Sequence, residues 1–159
     1  LDKFQDVVKQ LEIERIREGE GLKKYFIEEI DFVKKNLDEI KKNQQKEVIS
    51  YFEYVKQKMN ELLSETDIDE KRILEEAAFY SSKYDITEEI KRFEQHLDYF
   101  ASLLESNEPI GKKIDFLSQE MLRETNTICS KATLFEIKKP AIEIKDSIEK
   151  IREQGRNIE

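Results

Sequence analysis

The longest uninterrupted helical pattern in the sequence runs from Leu22 to Ser64, a stretch without proline or glycine. Its inward positions recur with a mean spacing of 3.6 residues, the period of a straight α-helix. A helix of this length is on the order of 64 Å long, so one small core cannot cover it and it needs an antiparallel partner or another subunit. The stripe consists of Phe26, Ile30, Val33, Leu37, Ile40, Gln44, Val48, Tyr51, Val55, Met59 and Leu62.

Shorter helical patterns lie on both sides of this stretch. Phe4, Val7, Val8 and Leu11 predict a helix over Leu1–Arg17, which Gly19 and Gly21 should break or kink because glycine disfavours helix interiors. After a turn at Ser64–Asp69, with Thr66 or Asp67 as the cap, a second helix runs to about Lys83. Its apolar positions are Ile73, Leu74, Ala77, Ala78 and Tyr80.

Asp85–Thr87 offers another helix cap, and the helix that follows packs through Ile90, Phe93, Leu97, Phe100 and Leu104. We interpret residues 67–106 as the return arm of the long helix. The loop Ser106–Gly111 then leads into a helix over Gly111–Lys131 with inward residues Ile114, Leu117, Met121 and Ile128.

The last predicted helix spans roughly Leu134–Asn157, with Ile137, Ile144, Ile148 and Ile151 inward. Pro140 interrupts this pattern, because proline lacks an N–H and clashes with the preceding turn. An alternative start at Pro140, as the first helical residue, therefore stays open. The predicted fold is all-α: a long antiparallel helical hairpin over residues 1–108, with a C-terminal helix pair over residues 109–159 packed at its base as one continuous helical unit.

Composition narrows the functional classes. Charged residues make up 40% of the chain and the formal net charge is −8, which argues against a generic nucleic-acid binder. The charge is uneven, because residues 109–159 hold 10 Lys and Arg against 9 Asp and Glu. A polyanion should therefore contact the C-terminal third, or a further domain outside this sequence. The single cysteine, Cys129, excludes an internal disulfide and fits a reducing compartment; no membrane-spanning stretch or signal peptide is visible.

Two polar stripes could carry chemistry. On the Gly111–Lys131 helix, Glu120, Glu124, Thr127 and Lys131 share a face, with Arg123 and Asn126 beside them. Two carboxylates one turn apart can hold a hard divalent cation. His96, the only histidine, lies one turn from Arg92, and its imidazole suits general acid–base work or metal ligation. By spacing alone, both stripes can equally be solvated helix surface.

Three segments resemble the YicC/YloC endoribonuclease family. IDFLSQEMLRETNTICSK is similar to the family's LDFL-x-QEM-x-RE-x-NT-x-x-SK, DITEEIKRFEQHL is similar to D-I-x-EE-x-x-RL-x-SHL, and EIKDSIEKIREQGRNIE is similar to E-L-K-x-x-IEKIREQ-x-QN-x-E. Gly155 and Arg156 depart from the last pattern. Family members carry a further N-terminal domain that nothing here resembles, and with Leu1 at the start this predicts a fragment.

The resemblance implies a cytoplasmic, bacterial, metal-dependent endoribonuclease that cleaves single-stranded RNA and works as a homo-oligomer, possibly a hexamer. It implies that His96, Glu120 and Glu124 are catalytic and hold Mg²⁺ or Mn²⁺. It also implies RNA-binding roles for Arg92, Arg123, Asn126, Thr127, Lys131, Lys145 and Arg152.

Two alternatives remain open on the residues alone. One is an oligomerisation module whose polar stripes are solvated, with the catalytic residues in another domain. The other is an RNA-binding clamp without chemistry. The two carboxylates separate these possibilities, since a pure RNA binder would favour basic residues at positions 120 and 124.

If the Thr87–Glu105 and Gly111–Lys131 helices pair antiparallel about their short loop, residues whose numbers sum to about 217 should lie level. His96 would then lie beside Glu120, and Arg92 beside Glu124.

Overall fold

The computed structural model describes residues 2–62, 70–106 and 108–158. Within these residues the chain forms five α-helices and no strand, which confirms the all-α prediction. They are α1 (Asp2–Leu62), α2 (Glu70–Tyr84), α3 (Thr87–Leu104), α4 (Gly111–Lys131) and α5 (Phe135–Gly155). The predicted cap at Thr66 or Asp67 lies outside the described residues. The described helices include none that is long and apolar enough to cross a membrane.

The predicted break at Gly19 and Gly21 is wrong, because α1 is continuous through both glycines. Each glycine weakens a helix by only about 1 kcal/mol, and neither adopts the positive φ that would turn the chain. At 61 residues, α1 is about 90 Å long. Its first part gains no cover from packing: residues 4–20 are all exposed, including the predicted inward residues Phe4, Val7, Val8 and Leu11.

The core forms where the middle of α1 meets α3, α4 and α5. The α1 residues Phe26, Ile30, Val33, Leu37 and Ile40 are buried as predicted, whereas Gln44 and Val55 are half-buried. The predicted inward residues Val48, Tyr51, Met59 and Leu62 lie outside the described side chains. From the other helices the predicted core includes Ile90, Phe93, Leu97, Phe100, Ile114, Leu117, Met121, Ile128, Ile137, Ile144, Ile148 and Ile151, all of them buried.

Contacts between side chains fix the direction of each neighbouring pair. Lys23 pairs with Glu105, and Lys41 with Glu94, so α3 runs antiparallel to α1. Helix α5 is also antiparallel to α1, because Thr133 contacts Glu47 at one end and Ser147 contacts Glu29 further along. With α3–α4 and α4–α5 also antiparallel, the middle of α1 and these three helices form an up-and-down four-helix bundle.

Helix α2 packs against the distal part of α1, beyond the bundle. Tyr80 is the buried anchor of this contact, and its ring stacks on Tyr84 with centroids 4.1 Å apart. Leu74, which the sequence pattern placed among the packing residues, is 63% exposed. The side chains of Ile73 and Ala77 lie outside the described set.

Pro140 lies inside α5, so the alternative start at this residue is wrong. The helix begins one turn earlier, at Phe135, and Pro140 is buried in its second turn. The backbone N–H groups of Ile137 and Lys138 donate to the carbonyl of Leu134, which secures the first turn ahead of the proline. Pro140 has no N–H to donate to the carbonyl of Glu136, four residues earlier, so the helix continues through it with one intrahelical bond fewer.

Candidate nucleic-acid interface

A seam of charged residues runs between α3 and α4, and we call it the α3–α4 seam: Glu89, Arg92, His96, Glu120, Glu124 and Lys131. The ammonium of Lys131 lies 2.8 Å from Oε1 of Glu89, and it donates to the backbone carbonyl of Asp85, also at 2.8 Å. Further along, Nη1 of Arg92 lies 3.7 Å from Oε1 of Glu124. Arg92 also pairs with Glu88 on its own helix. The seam is therefore an interhelical network of opposite charges.

The register of the seam agrees with the predicted antiparallel pairing. The Arg92–Glu124 pair gives a residue-number sum of 216, against the predicted value of about 217. The same register aligns His96 with position 120. The buried core includes Phe93 and Leu97 of α3 and Leu117 and Met121 of α4. This shared core fixes which face of each helix is turned towards the other.

The predicted catalytic residues differ in exposure. Glu124 is 4% exposed, whereas His96 and Glu120 are half-buried. Over the described residues, no group of three or more His, Cys, Asp or Glu side chains is close enough to hold a metal ion. The residues present thus do not form a closed metal site, and the role of His96, Glu120 and Glu124 as catalytic and metal-binding residues stays a prediction.

Glu89 was not among the predicted site residues. It is 8% exposed, and its Oε1 pairs with Lys131. Its Oε2 is buried and has no hydrogen-bond partner among the described residues. Its signal in the sequence was a position just after the Asp85–Thr87 cap. Acidic residues are favourable in the first turn of any helix, so this position did not distinguish Glu89 as a site residue.

A shallow, open groove of about 500 Å³ lies along α4 beside Arg152 of α5, and we call it the α4–α5 groove. Its lining includes two guanidinium groups and four neutral polar side chains, and it contains no carboxylate. The lining residues are Gln119, Leu122, Arg123, Asn126, Thr127, Ser130 and Arg152. Four of the predicted RNA-binding residues, Arg123, Asn126, Thr127 and Arg152, therefore meet in one place.

The other three predicted RNA-binding residues lie elsewhere. Arg92 and Lys131 belong to the α3–α4 seam, where both are engaged in ion pairs. Lys145 is half-buried on α5. Burial raises the pKa of the nearby Cys129 thiol, and the positive charge of Lys145 opposes that effect. A raised thiol pKa disfavours the nucleophilic thiolate, which agrees with a structural role for Cys129.

Asp115 does not line the groove but contacts two residues that do, Arg152 and Gln119, and the sequence analysis did not single it out. Its Oδ1 accepts from Nε of Arg152 at 2.9 Å and from Nε of Arg156 at 3.2 Å. Its Oδ2 accepts from Nε2 of Gln119 at 2.7 Å. The bond from Arg152 is the main cause that holds the pKa of Asp115 below its ordinary value. The only signal in the sequence was its place in the IDFL segment.

The start of α5 is held by Glu47, a buried carboxylate of α1. It accepts from the backbone N–H and the hydroxyl of Thr133, and from the backbone N–H of Leu134 at 3.3 Å. The hydroxyl of Tyr80 donates to the same carboxylate at 3.4 Å. This cap joins α1, α2 and α5, and no spacing pattern could reveal it because its partners are 86 residues apart.

Fold and site together define an all-α bundle with a groove lined by two arginines, next to a seam of paired charges. The chain belongs to the YicC-like endoribonuclease family, because residues 40–159 match the family model described as "Endoribonuclease YicC-like, C-terminal". This confirms the family resemblance. The match extends over α2 to α5 and over α1 from Ile40 onward, and it thus includes both the groove and the seam.

Curated relatives agree with this assignment. A probable endoribonuclease YicC of Clostridioides difficile is 40% identical over 156 residues, which cover 98% of this chain and 53% of that protein. A probable endoribonuclease YicC of Haemophilus influenzae is 28% identical over 159 residues, which cover all of this chain and 55% of that protein. The chain thus spans about half the length of the curated relatives it matches.

Proposed function

We propose that this chain is the RNA-binding and RNA-cleaving part of an endoribonuclease that acts on single-stranded RNA in the cytoplasm. The observation that carries the proposal is the α4–α5 groove, where Arg123 and Arg152 face a lining without carboxylates in a chain of net charge −8. A patch of positive charge on an otherwise acidic surface attracts a polyanion to that patch. The family membership gives the polyanion its identity as RNA.

The groove suits the backbone of a single strand. Its two guanidinium groups can each donate to phosphate oxygens, while Asn126, Thr127 and Ser130 can bond to ribose hydroxyls. The lining contains no aromatic side chain on which a base could stack. We therefore expect weak sequence preference, with binding that depends on backbone charge and falls steeply with salt.

Cleavage is assigned to the α3–α4 seam, which shares α4 with the groove. His96 acts there as the general acid or base, and Glu120 and Glu124 are the residues that would hold a Mg²⁺ or Mn²⁺ ion. Such an ion typically binds one or two carboxylates and completes its shell with water and substrate phosphates, so a closed protein site is not required. When bound, the cation neutralises phosphate charge and activates the attacking oxygen.

The test uses this chain, and the complete gene product where that is longer, with a labelled single-stranded RNA and a duplex of the same sequence. Each reaction contains Mg²⁺, Mn²⁺ or EDTA, and calorimetry measures metal binding separately from cleavage. We expect metal-dependent cleavage of the single strand. Binding without cleavage in any metal supports the alternative of an RNA-binding module, and absence of both overturns the proposal.

Glu124→Gln is the sharpest variant, because it keeps the shape of the side chain and removes its charge. Arg92 would lose one partner but retain Glu88, and about half of its side chain is exposed, so the fold should persist. We expect loss of metal-dependent cleavage with RNA affinity retained. Glu149→Gln, on the exposed face of α5, is the matched control and should cleave normally.

Homo-oligomerisation, possibly as a hexamer, is also part of the proposal. It is supported by the first part of α1, where Phe4 is 73% exposed and Leu11 is 52% exposed with no cover from the bundle. Light scattering at tens of micromolar should report a species larger than a monomer, and Val7→Lys with Leu11→Lys should reduce it. A wild-type monomer at that concentration would contradict assembly through this helix.

A further inference from the structure

Asp115 lies where α4 passes the last turns of α5, and both of its carboxylate oxygens are used. One oxygen accepts from Nε of Arg152, in the last turn of α5, and from Nε of Arg156, the residue that follows α5. The other oxygen accepts from the side-chain amide of Gln119, one turn along α4. Two of these three partners, Arg152 and Gln119, line the α4–α5 groove, whereas Asp115 itself does not.

The geometry of the Arg152 contact leaves the rest of the guanidinium available. A guanidinium has five N–H donors, and the Nε–H of Arg152 is the one directed at Asp115. Among the described residues, Nη1 and Nη2 of Arg152 make no hydrogen bond. These are the atoms that a phosphate would contact. Because Nε is anchored, the Arg152 side chain has fewer rotamers before binding. It therefore loses less conformational entropy when it binds a ligand.

We propose that Asp115 is a positioning residue that holds Arg152 and Gln119 in the orientation that binds RNA phosphates in the α4–α5 groove. The inference rests on the proposed function, since it concerns the same groove. Asp115 would not touch the RNA. Its carboxylate would set the direction of the guanidinium plane, as a fixed partner does for a bidentate phosphate contact.

Simple electrostatics predicts the opposite outcome, which makes the proposal testable. Removal of a negative charge near the groove should tighten binding to a polyanion. Removal of a positioning residue should weaken it, because Arg152 then becomes disordered. Asp115→Ala separates the two, and its side chain is 30% exposed on a helix surface where alanine is well tolerated. Asp146→Ala, an exposed acid on α5, is the charge-matched control.

The measurement is the affinity for a fluorescein-labelled single-stranded RNA as a function of salt. For Asp115→Ala we expect affinity to fall roughly 5–10-fold, the effect of one charge-assisted contact. The slope of log affinity against log salt should become shallower by about 0.7, the value for one phosphate contact in a single strand. Asp115→Glu should restore part of the affinity, and Asp146→Ala should bind as tightly as the wild type or more tightly.

Two further arms isolate the positioning role. Asp115→Ala placed in an Arg152→Ala background should cause a smaller loss than in the wild type, because the Arg152 contact is already gone and only the Gln119 contact is left to lose. Nitrogen-15 relaxation of the Arg152 Nε–H should show an ordered group in the wild type and a mobile one in Asp115→Ala, without RNA present. A wild type that binds RNA while Asp115→Ala binds equally or more tightly overturns the inference alone. A wild type that binds no RNA overturns the proposed function as well.

Discussion

Lys131, in the last turn of α4, lies 2.8 Å from Glu89, in the first turn of α3. Each charge is also favourable at its own helix end, since carboxylates stabilise N-termini and cations stabilise C-termini. The side chain of Glu89 is 11% exposed and that of Lys131 is 31% exposed, so solvent screens this pair less than a surface pair. The contact ties the two helices of the seam together at the end remote from their connecting loop.

We expect Lys131→Met to lower the free energy of unfolding by about 2 kcal/mol, because the buried Glu89 carboxylate would lose its cation. Urea denaturation followed by circular dichroism measures the change. The control is Lys113→Met, which removes an ion pair of the same 2.8 Å length to Glu108, whose side chain is 71% exposed. The control should leave the midpoint unchanged; equal losses for both variants would show that burial is not the cause.

Glu47→Ala should destabilise the chain by about 3 kcal/mol. The substitution leaves the backbone N–H groups of Thr133 and Leu134 without their acceptor at the start of α5. Chemical denaturation measures the loss of stability. Relative to the wild type, hydrogen exchange in the variant should accelerate more at the first amides of α5 than at those of α3. Glu53→Ala, on the exposed side of the same helix, should change stability by no more than about 0.5 kcal/mol.

Tyr80 gives a prediction at alkaline pH. Burial is the largest cause that raises the pKa of its phenol, and the nearby Glu47 carboxylate raises it further. Because the folded state holds the proton more tightly than the unfolded state, stability is present below the unfolded pKa and is lost as pH rises towards the folded pKa. Denaturation midpoints between pH 9 and 12 should fall less in Tyr80→Phe than in the wild type; identical slopes would contradict this account.

Phe93→Ala and Leu97→Ala should each cost about 2–5 kcal/mol, since both side chains are buried in the centre of the bundle. Thermal unfolding should show a clear drop in the melting temperature for each. Tyr99→Ala is the control on the same helix, where 48% of the side chain is exposed, and it should change little. An unchanged melting temperature for Phe93→Ala would contradict the packing of α3 and, with it, the position of His96.

The glycines should respond in opposite directions to alanine. A Cβ at Gly111 would lie 2.3 Å from the backbone oxygen of Ile158 and 2.9 Å from that of Gly155, so Gly111→Ala should destabilise by about 2 kcal/mol or more. A Cβ at Gly19 meets nothing within 4 Å, and Gly19→Ala should stabilise its helix by up to about 1 kcal/mol. Urea denaturation tests Gly111→Ala, and hydrogen exchange along α1 tests Gly19→Ala.

The α3–α4 seam shows how far sequence reasoning extended. The apolar stripes of α3 and α4, with the short loop between them, were sufficient to predict the register that places Arg92 beside Glu124. Both conditions are local, since helical spacing selects the face and loop length forces the antiparallel direction. The grouping of His96, Glu120 and Glu124 as catalytic residues came from the family resemblance and not from these local conditions.

The sequence by itself determined the inward faces of α3, α4, α5 and the middle of α1, because hydrophobic spacing is a property of neighbours along the chain. It did not predict that α1 would run through Gly19 and Gly21, since a cost of about 1 kcal/mol each is too small to end a helix. Only the tertiary structure decided that α5 lies between α1 and α4. That placement brings Glu47 to Thr133 and Asp115 to Arg152, across 86 and 37 residues. Such contacts depend on which helices become neighbours, and the buried area of the whole bundle selects that order.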